Sequence, residues 1–144
     1  MGDPYNLNRF VKAQDPVFEQ VLAELGEGRK QSHWMWFIFP QIRGLGHSCT
    51  AIEFAISSRE EAEAYLQRPI LGPRLRQCTQ LVLDVEGRPI EDIFGYPDHL
   101  KFRSSMTLFA HATQDNQIFK AALEKYFGGE PDRLTLERLQ PEGR

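Results

Sequence analysis

The sequence predicts an all-α fold, a single compact domain of about seven short-to-medium helices. Three observations predict it. Apolar residues recur at intervals of three and four along most of the chain, which is the period of one helix face. Glycine and proline punctuate those stripes where helices start and stop. No Asn-Gly or Asp-Gly hairpin signal occurs, and the one β-rich run, QLVLDV, fits a helical stripe as well.

The elements follow in order. Asp15-Pro16 reads as an N-cap and first helical residue, with Val17, Val21, Leu22 and Leu25 as the stripe and Gly26 and Gly28 as the stop. Ser58-Arg59-Glu60-Glu61 has the spacing of a capping box, in which the Ser hydroxyl reaches the amide three residues on and Glu61 reaches back. Ala62, Tyr65 and Leu66 then face inward. In ILGPRLRQCTQLVLDVEG the stripe is Leu75, Cys78, Val82 and Val85, ended by Gly87. Pro89 opens the short helix IEDIF, closed by Gly95, and Pro97 opens a longer one with Phe102, Met106, Phe109 and Ala110 on one face. Asp115 to Phe127 follows, stopped by Gly128-Gly129, and a last helix covers Leu134 to Leu139. No repeat or linker divides residues 1–144, so one domain is expected, with loose termini at 1–6 and 141–144.

Composition narrows the function. The 144 residues are 41% apolar and 26% charged, enough for one core. A net charge of −3 provides no global positive field, so general nucleic-acid binding is not expected. The longest uncharged run, Gln31 to Ile42, is twelve residues, too short to cross a hydrocarbon layer of ~30 Å, so no membrane span is expected. The N-terminus has no basic segment followed by an apolar one, which points to a cytoplasmic protein. Cys49 and Cys78 match no metal or redox spacing and read as buried small hydrophobes. His33, His47, His99 and His111 are too dispersed for metal ligands, and no cofactor motif occurs. The oligomeric state is not specified.

Three segments carry candidate chemistry. The run from His33 to Phe39 holds two Trp and two Phe in seven residues. It is apolar all round, as in an element buried on every side, but each indole N–H of Trp34 and Trp36 needs a partner once buried. The loop that follows offers Gln41, Arg43, Gly44, Gly46 and His47, suited either to a ligand approached by backbone N–H groups or to simple turn geometry. In DHLKFRSSMTLF, Lys101, Ser104 and Ser105 share one helical turn, a set suited to phosphate or carboxylate; the alternative is a solvated face with serines bonded back to carbonyls. Arg74 and Arg76 lie in the first turns of a helix, where cations oppose the dipole and an anion relieves the conflict; for Arg76 a plain surface role is favoured. Glu53, Asp98 and Asp132 are possible general acids, with no spacing that singles out a pair.

The words KQSHWMWFIFPQIRGLGHS, EAEAYLQRPILGPRLRQC, IEDIFG and DHLKFRSSMTLF, in that order, resemble the bacterial domain-of-unknown-function 1810 family from about Phe10 to Leu139. The resemblance implies a small cytosolic all-helical protein without an established biochemical activity. A more distant similarity, carried by EAEAYL, LGPRL, KFRSSMTLF and FKAALEKYF followed by Gly128-Gly129, is to NADAR domains, which are linked to ADP-ribose, riboflavin-pathway or modified-guanine chemistry. Those domains carry a Glu-His-Tyr-Tyr-Gln word where this chain reads Ser48 to Phe54, so the similarity supplies no catalytic acid.

The resulting expectation is a cleft for a small anionic, nucleotide-like ligand, derived from ADP-ribose or NAD. His33, Trp34, Trp36, Gln41, Arg43, Arg74, Lys101, Ser104 and Ser105 are its candidate ligand-binding residues. Trp34 or Trp36 would stack on a base, Gln41 would bond its edge, and Arg74, Lys101 and the two serines would hold phosphate. N-glycosidic hydrolysis is the reaction to test. The rival expectation is a non-catalytic binding or interaction protein whose aromatics serve only as core.

Overall fold

The computed structural model describes residues 2–140. Among these run ten helices: α1 (Asn8–Gln14), α2 (Phe18–Gly26), α3 (Met35–Ile38), α4 (Cys49–Glu53), α5 (Arg59–Gln67), α6 (Leu71–Asp84), α7 (Ile90–Phe94), α8 (Asp98–Ala110), α9 (Gln117–Phe127) and α10 (Arg133–Leu139). The fold is all-α. Its β geometry among the described residues is an isolated parallel bridge, Ile42 to Ile56. The three helices beyond the expected seven are α1, α3 and α4, of seven, four and five residues.

Helix α8 is the axis. After Arg103 it has no charged side chain, and Ser104 through Ala110 are all buried. Two of its three hydroxyls bond back along the helix, Ser104 to the Leu100 carbonyl at 3.2 Å and Thr107 to that of Arg103 at 2.9 Å, while that of Ser105 is buried without a partner among the described residues. Helices α5, α7, α9 and α10 pack around it, and α6 joins α9, α5 and α2 on the outer side. Aromatic rings fill the joints. Phe39 meets Phe94 and Phe102 edge-on at 5.7 and 5.0 Å, and Phe94 stacks on Phe102 at 4.9 Å.

Several helix ends differ from the sequence expectation in an instructive way. Helix α2 begins at Phe18, and Asp15 does not cap it; the carboxylate instead pairs with Arg74 of α6 at 2.9 Å. Ser58 does cap α5, accepting from the Glu61 amide at 3.1 Å, but the Glu61 carboxylate reaches one residue further back, to the amide and hydroxyl of Ser57. Near the N-terminus, the Asp3 carboxylate accepts from the Leu7 and Asn8 amides and pairs with Arg68. Residues 141–144, expected to be loose, lie outside the described residues.

The two thiols part company. Cys78 is buried in α6, and that burial, only partly opposed by Arg74, pushes its pKa up to about 12. Cys49 is exposed at the start of α4, contrary to the expectation that both are core. A neutral-pH alkylating reagent is therefore expected to modify Cys49 in the native protein and Cys78 only after unfolding, since the thiolate is the nucleophile. Mass spectrometry of the alkylated peptides checks this, and native labelling of Cys78 at a comparable rate would contradict it.

Candidate functional site

The site is built outward from a buried acid. Glu24 lies on the inner side of α2, three residues after Val21 and beside Leu25, and is 6% exposed. Its Oε1 accepts from the amides of Gln31 and Ser32 and from the indole N–H of Trp34, at 2.8, 3.1 and 2.9 Å. Oε2 accepts from the Ser32 hydroxyl and the Gln20 amide at 2.6 and 3.0 Å. Burial by itself raises the carboxyl pKa, but the bonds from Ser32, Gln31 and Trp34 outweigh it and hold the value at about 2. The turn from Gln31 to Trp34 is thereby fastened to α2. One indole is thus fixed inside, and its neighbours on the turn reach the surface.

Above that turn lies a half-open cavity of about 250 Å³, bordered by Lys30, His33, Trp36, Thr50, Asp98 and Lys101. Asp98, in the first turn of α8, suits the positive end of the helix dipole and is bridged by two ammonium groups. Lys30 reaches its Oδ2 at 2.8 Å, donates to the Ser32 carbonyl at 2.6 Å, and lies 5.0 Å from the centre of the Trp34 ring. Lys101 reaches Oδ1 at 3.3 Å and sits 4.0 Å from the centre of the Trp36 ring. Among these three charged groups one positive charge is in excess. The Lys30 side chain is 7% exposed, so its charge is weakly screened.

Of the residues named from sequence, the structure brings His33, Trp34, Trp36 and Lys101 to this cavity. Trp34 is 1% exposed with its N–H bonded to Glu24, so it forms the floor, and Trp36, half-buried, is the indole that a ligand can reach. The other five lie elsewhere. Ser104 and Ser105 are sealed within the core by the packing around α8. Arg74 donates to the Gln14 side chain, pairs with Asp15 and covers the Phe18 ring, so the protein's own acid answers the helix dipole there. Arg76 likewise turns to Asp115. Arg43 is exposed beside Arg9 and Ile52 in a separate groove. Gln41 is buried behind Trp36. The two loop glycines answer backbone and packing needs. Gly44 has a φ of +101°, which favours glycine, and a Cβ at Gly46 would lie 2.8 Å from that of Ala51 and 3.0 Å from the Trp36 ring.

Sequence reasoning missed Glu24, Lys30 and Thr50, and weighed Asp98 only as a general acid. Glu24 did carry a signal, an acid placed on the apolar stripe of α2. The pairing of Lys30 with Asp98 did not, because 68 positions separate them and the pairing exists only once α8 docks. Among the described residues no group of three or more His, Cys, Asp or Glu could hold a metal ion, and no helix is long and apolar enough to cross a membrane.

Residues 4–139 match the model of a family described as "Protein of unknown function (DUF1810)". The chain belongs to the DUF1810 family. A solved structure, the conserved hypothetical protein Rv1873 from Mycobacterium tuberculosis, is similar at 60% identity with a TM-score of 0.95, over 95% of this chain and 98% of that one. No curated protein matches the chain. The family accounts for the order of the sequence words and for the helical architecture, and assigns no reaction.

Proposed function

We propose that this DUF1810 protein binds a small anionic ligand carrying a flat ring, in the cavity between the 30–36 turn and the start of α8. One observation carries the reading: Lys30 and Lys101 converge on the single carboxylate of Asp98 at the edge of a cavity walled by Trp36. The ammonium group of Lys101 at the cavity edge attracts an anion, the exposed imidazole of His33 supplies a further polar contact, and the indole offers an apolar surface for a ring. At about 250 Å³ the cavity falls below the ~300–1,000 Å³ of drug-sized sites, so it takes at most one base with its sugar and phosphate. A ligand as long as ADP-ribose or NAD extends beyond it.

Binding without catalysis is the form of this reading that the ion pairs favour. Asp98 is the carboxylate that borders the cavity, and both its oxygens are engaged by lysines. An N-glycosidic hydrolysis would need that carboxylate released to reach the bond or a water.

Thermal unfolding with ADP-ribose, NAD and nucleoside monophosphates tests the proposal. A ligand at about a hundred times its dissociation constant adds ~2.7 kcal/mol, an easily read rise in Tm. Lys101→Ala is expected to weaken binding at least tenfold, ~1.4 kcal/mol, with little change in unliganded stability because the ammonium is part-exposed. Absence of a shift with every one of these ligands, or binding indifferent to Lys101, would sink the proposal.

A further inference from the structure

We propose that Trp36 partitions one ligand site into an outer and an inner compartment, and that Gln41 in the inner one recognises a carbonyl on the ligand's ring. This rests on the binding reading above. Behind the indole lies a small chamber of about 10 Å³, bordered by Gln41, Gly44, Gly46, Ala51 and Phe54, and Trp36 borders both spaces. Gln41 is 6% exposed and its Nε2 is buried without a hydrogen-bond partner. Buried amide donors are nearly always satisfied. The backbone that carries it is fixed, because the Gln41 carbonyl accepts from the Ile56 amide at 2.8 Å and the Arg43 N–H donates to the Ile56 carbonyl at 2.8 Å. The carboxamide is therefore a buried donor for which the described residues provide no acceptor.

Trp36 is suited to move and Trp34 is not. The Trp34 ring is fully buried and tethered through its N–H to Glu24, whereas Trp36 is half-buried and held on its face by Lys101. An anion that draws Lys101 toward itself loosens that contact, and a shift of the indole then joins the chamber to the outer cavity. The chamber admits one oxygen-sized group and no second ring. The ligand class is accordingly a flat ring with a carbonyl on its edge, joined to an anionic group held outside by Lys101 and His33. A pyrimidine nucleotide has this layout.

The test compares uridine 5′-monophosphate with ribose 5-phosphate, by calorimetric titration of the full chain. Wild-type protein is expected to bind the nucleotide at least tenfold more tightly, ~1.4 kcal/mol. Gln41→Leu is expected to abolish that advantage and to leave ribose 5-phosphate affinity unchanged, with Gln41→Met as the variant to use where leucine impairs folding. With 5-fluorotryptophan incorporated, the Trp36 fluorine resonance should shift with the nucleotide and not with ribose 5-phosphate. Equal affinities in the wild type, or an advantage that persists in both Gln41 variants, overturns the inference while leaving the anion site standing. If neither compound binds, the anion site and this inference fall together.

Discussion

Glu24→Ala is expected to lower the stability of the fold by about 3–5 kcal/mol at neutral pH, the range found when one partner of a buried charged network is removed. The five hydrogen bonds accepted by this carboxylate come from Gln20, Gln31, Ser32 twice, and Trp34. Truncation strands the Trp34 N–H in the core and frees the turn that carries His33 and Lys30. Glu24→Gln keeps one accepting oxygen but sets a donor against donors, so it is expected to cost less, about 1–2 kcal/mol. The same group predicts the acid limb of stability. Its pKa is about 2 in the fold against an ordinary 4.5, so the folded state takes up the proton less readily than the unfolded chain. The contribution is therefore complete above pH 4.5 and drains away as pH falls toward 2, by about 3 kcal/mol in all. Urea unfolding of both variants at neutral pH and across that acid range checks the sign and the size. A loss under about 1 kcal/mol in Glu24→Ala would mean that the turn is held by other contacts.

Gly72→Ala is the second large effect. A methyl at Gly72 would lie 2.1 Å from the Leu66 carbonyl oxygen and 2.9 Å from its carbon, distances that no rotamer relieves because the clashing atoms are backbone. Helices α5 and α6 must separate to admit it, and their interface holds Tyr65, Leu71 and Leu75, each at most 1% exposed. The expected loss is about 3 kcal/mol or more, above the usual range for overpacking. Gly87→Ala is the control. It meets nothing within 4 Å and has only its φ of +74° to accommodate, so its cost should stay near 1 kcal/mol. Chemical denaturation of the pair measures the difference directly, and similar midpoints would show that α5 and α6 adjust freely.

Much of the helical layout was legible in the chain. Gly95 and Gly128 close α7 and α9 with φ of +80° and +63° as the sequence stops suggested, and Ser58 caps α5. Such features are local: a cap or a left-handed glycine depends on residues within a turn of it. Helices α1 and α4 have too few turns for a period to show, and the Trp-rich segment, expected to be helical, is so only over the four residues of α3. Of the candidate ligand-binding residues, His33, Trp34, Trp36 and Lys101 border one cavity. The serines beside Lys101 do not, since helical spacing places residues on a common side without saying whether that side meets solvent or core.

By itself, the sequence determined the all-α class and most helix ends, because periodicity, capping and punctuation act over a few residues. The tertiary structure alone decided that Trp34 is floor and Trp36 is wall, that Arg74 answers Asp15, and that Lys30 and Lys101 share Asp98. Those outcomes turn on which charges and rings are brought within a few ångströms by helices far apart in the chain, and contact over such separations is fixed only when the core closes.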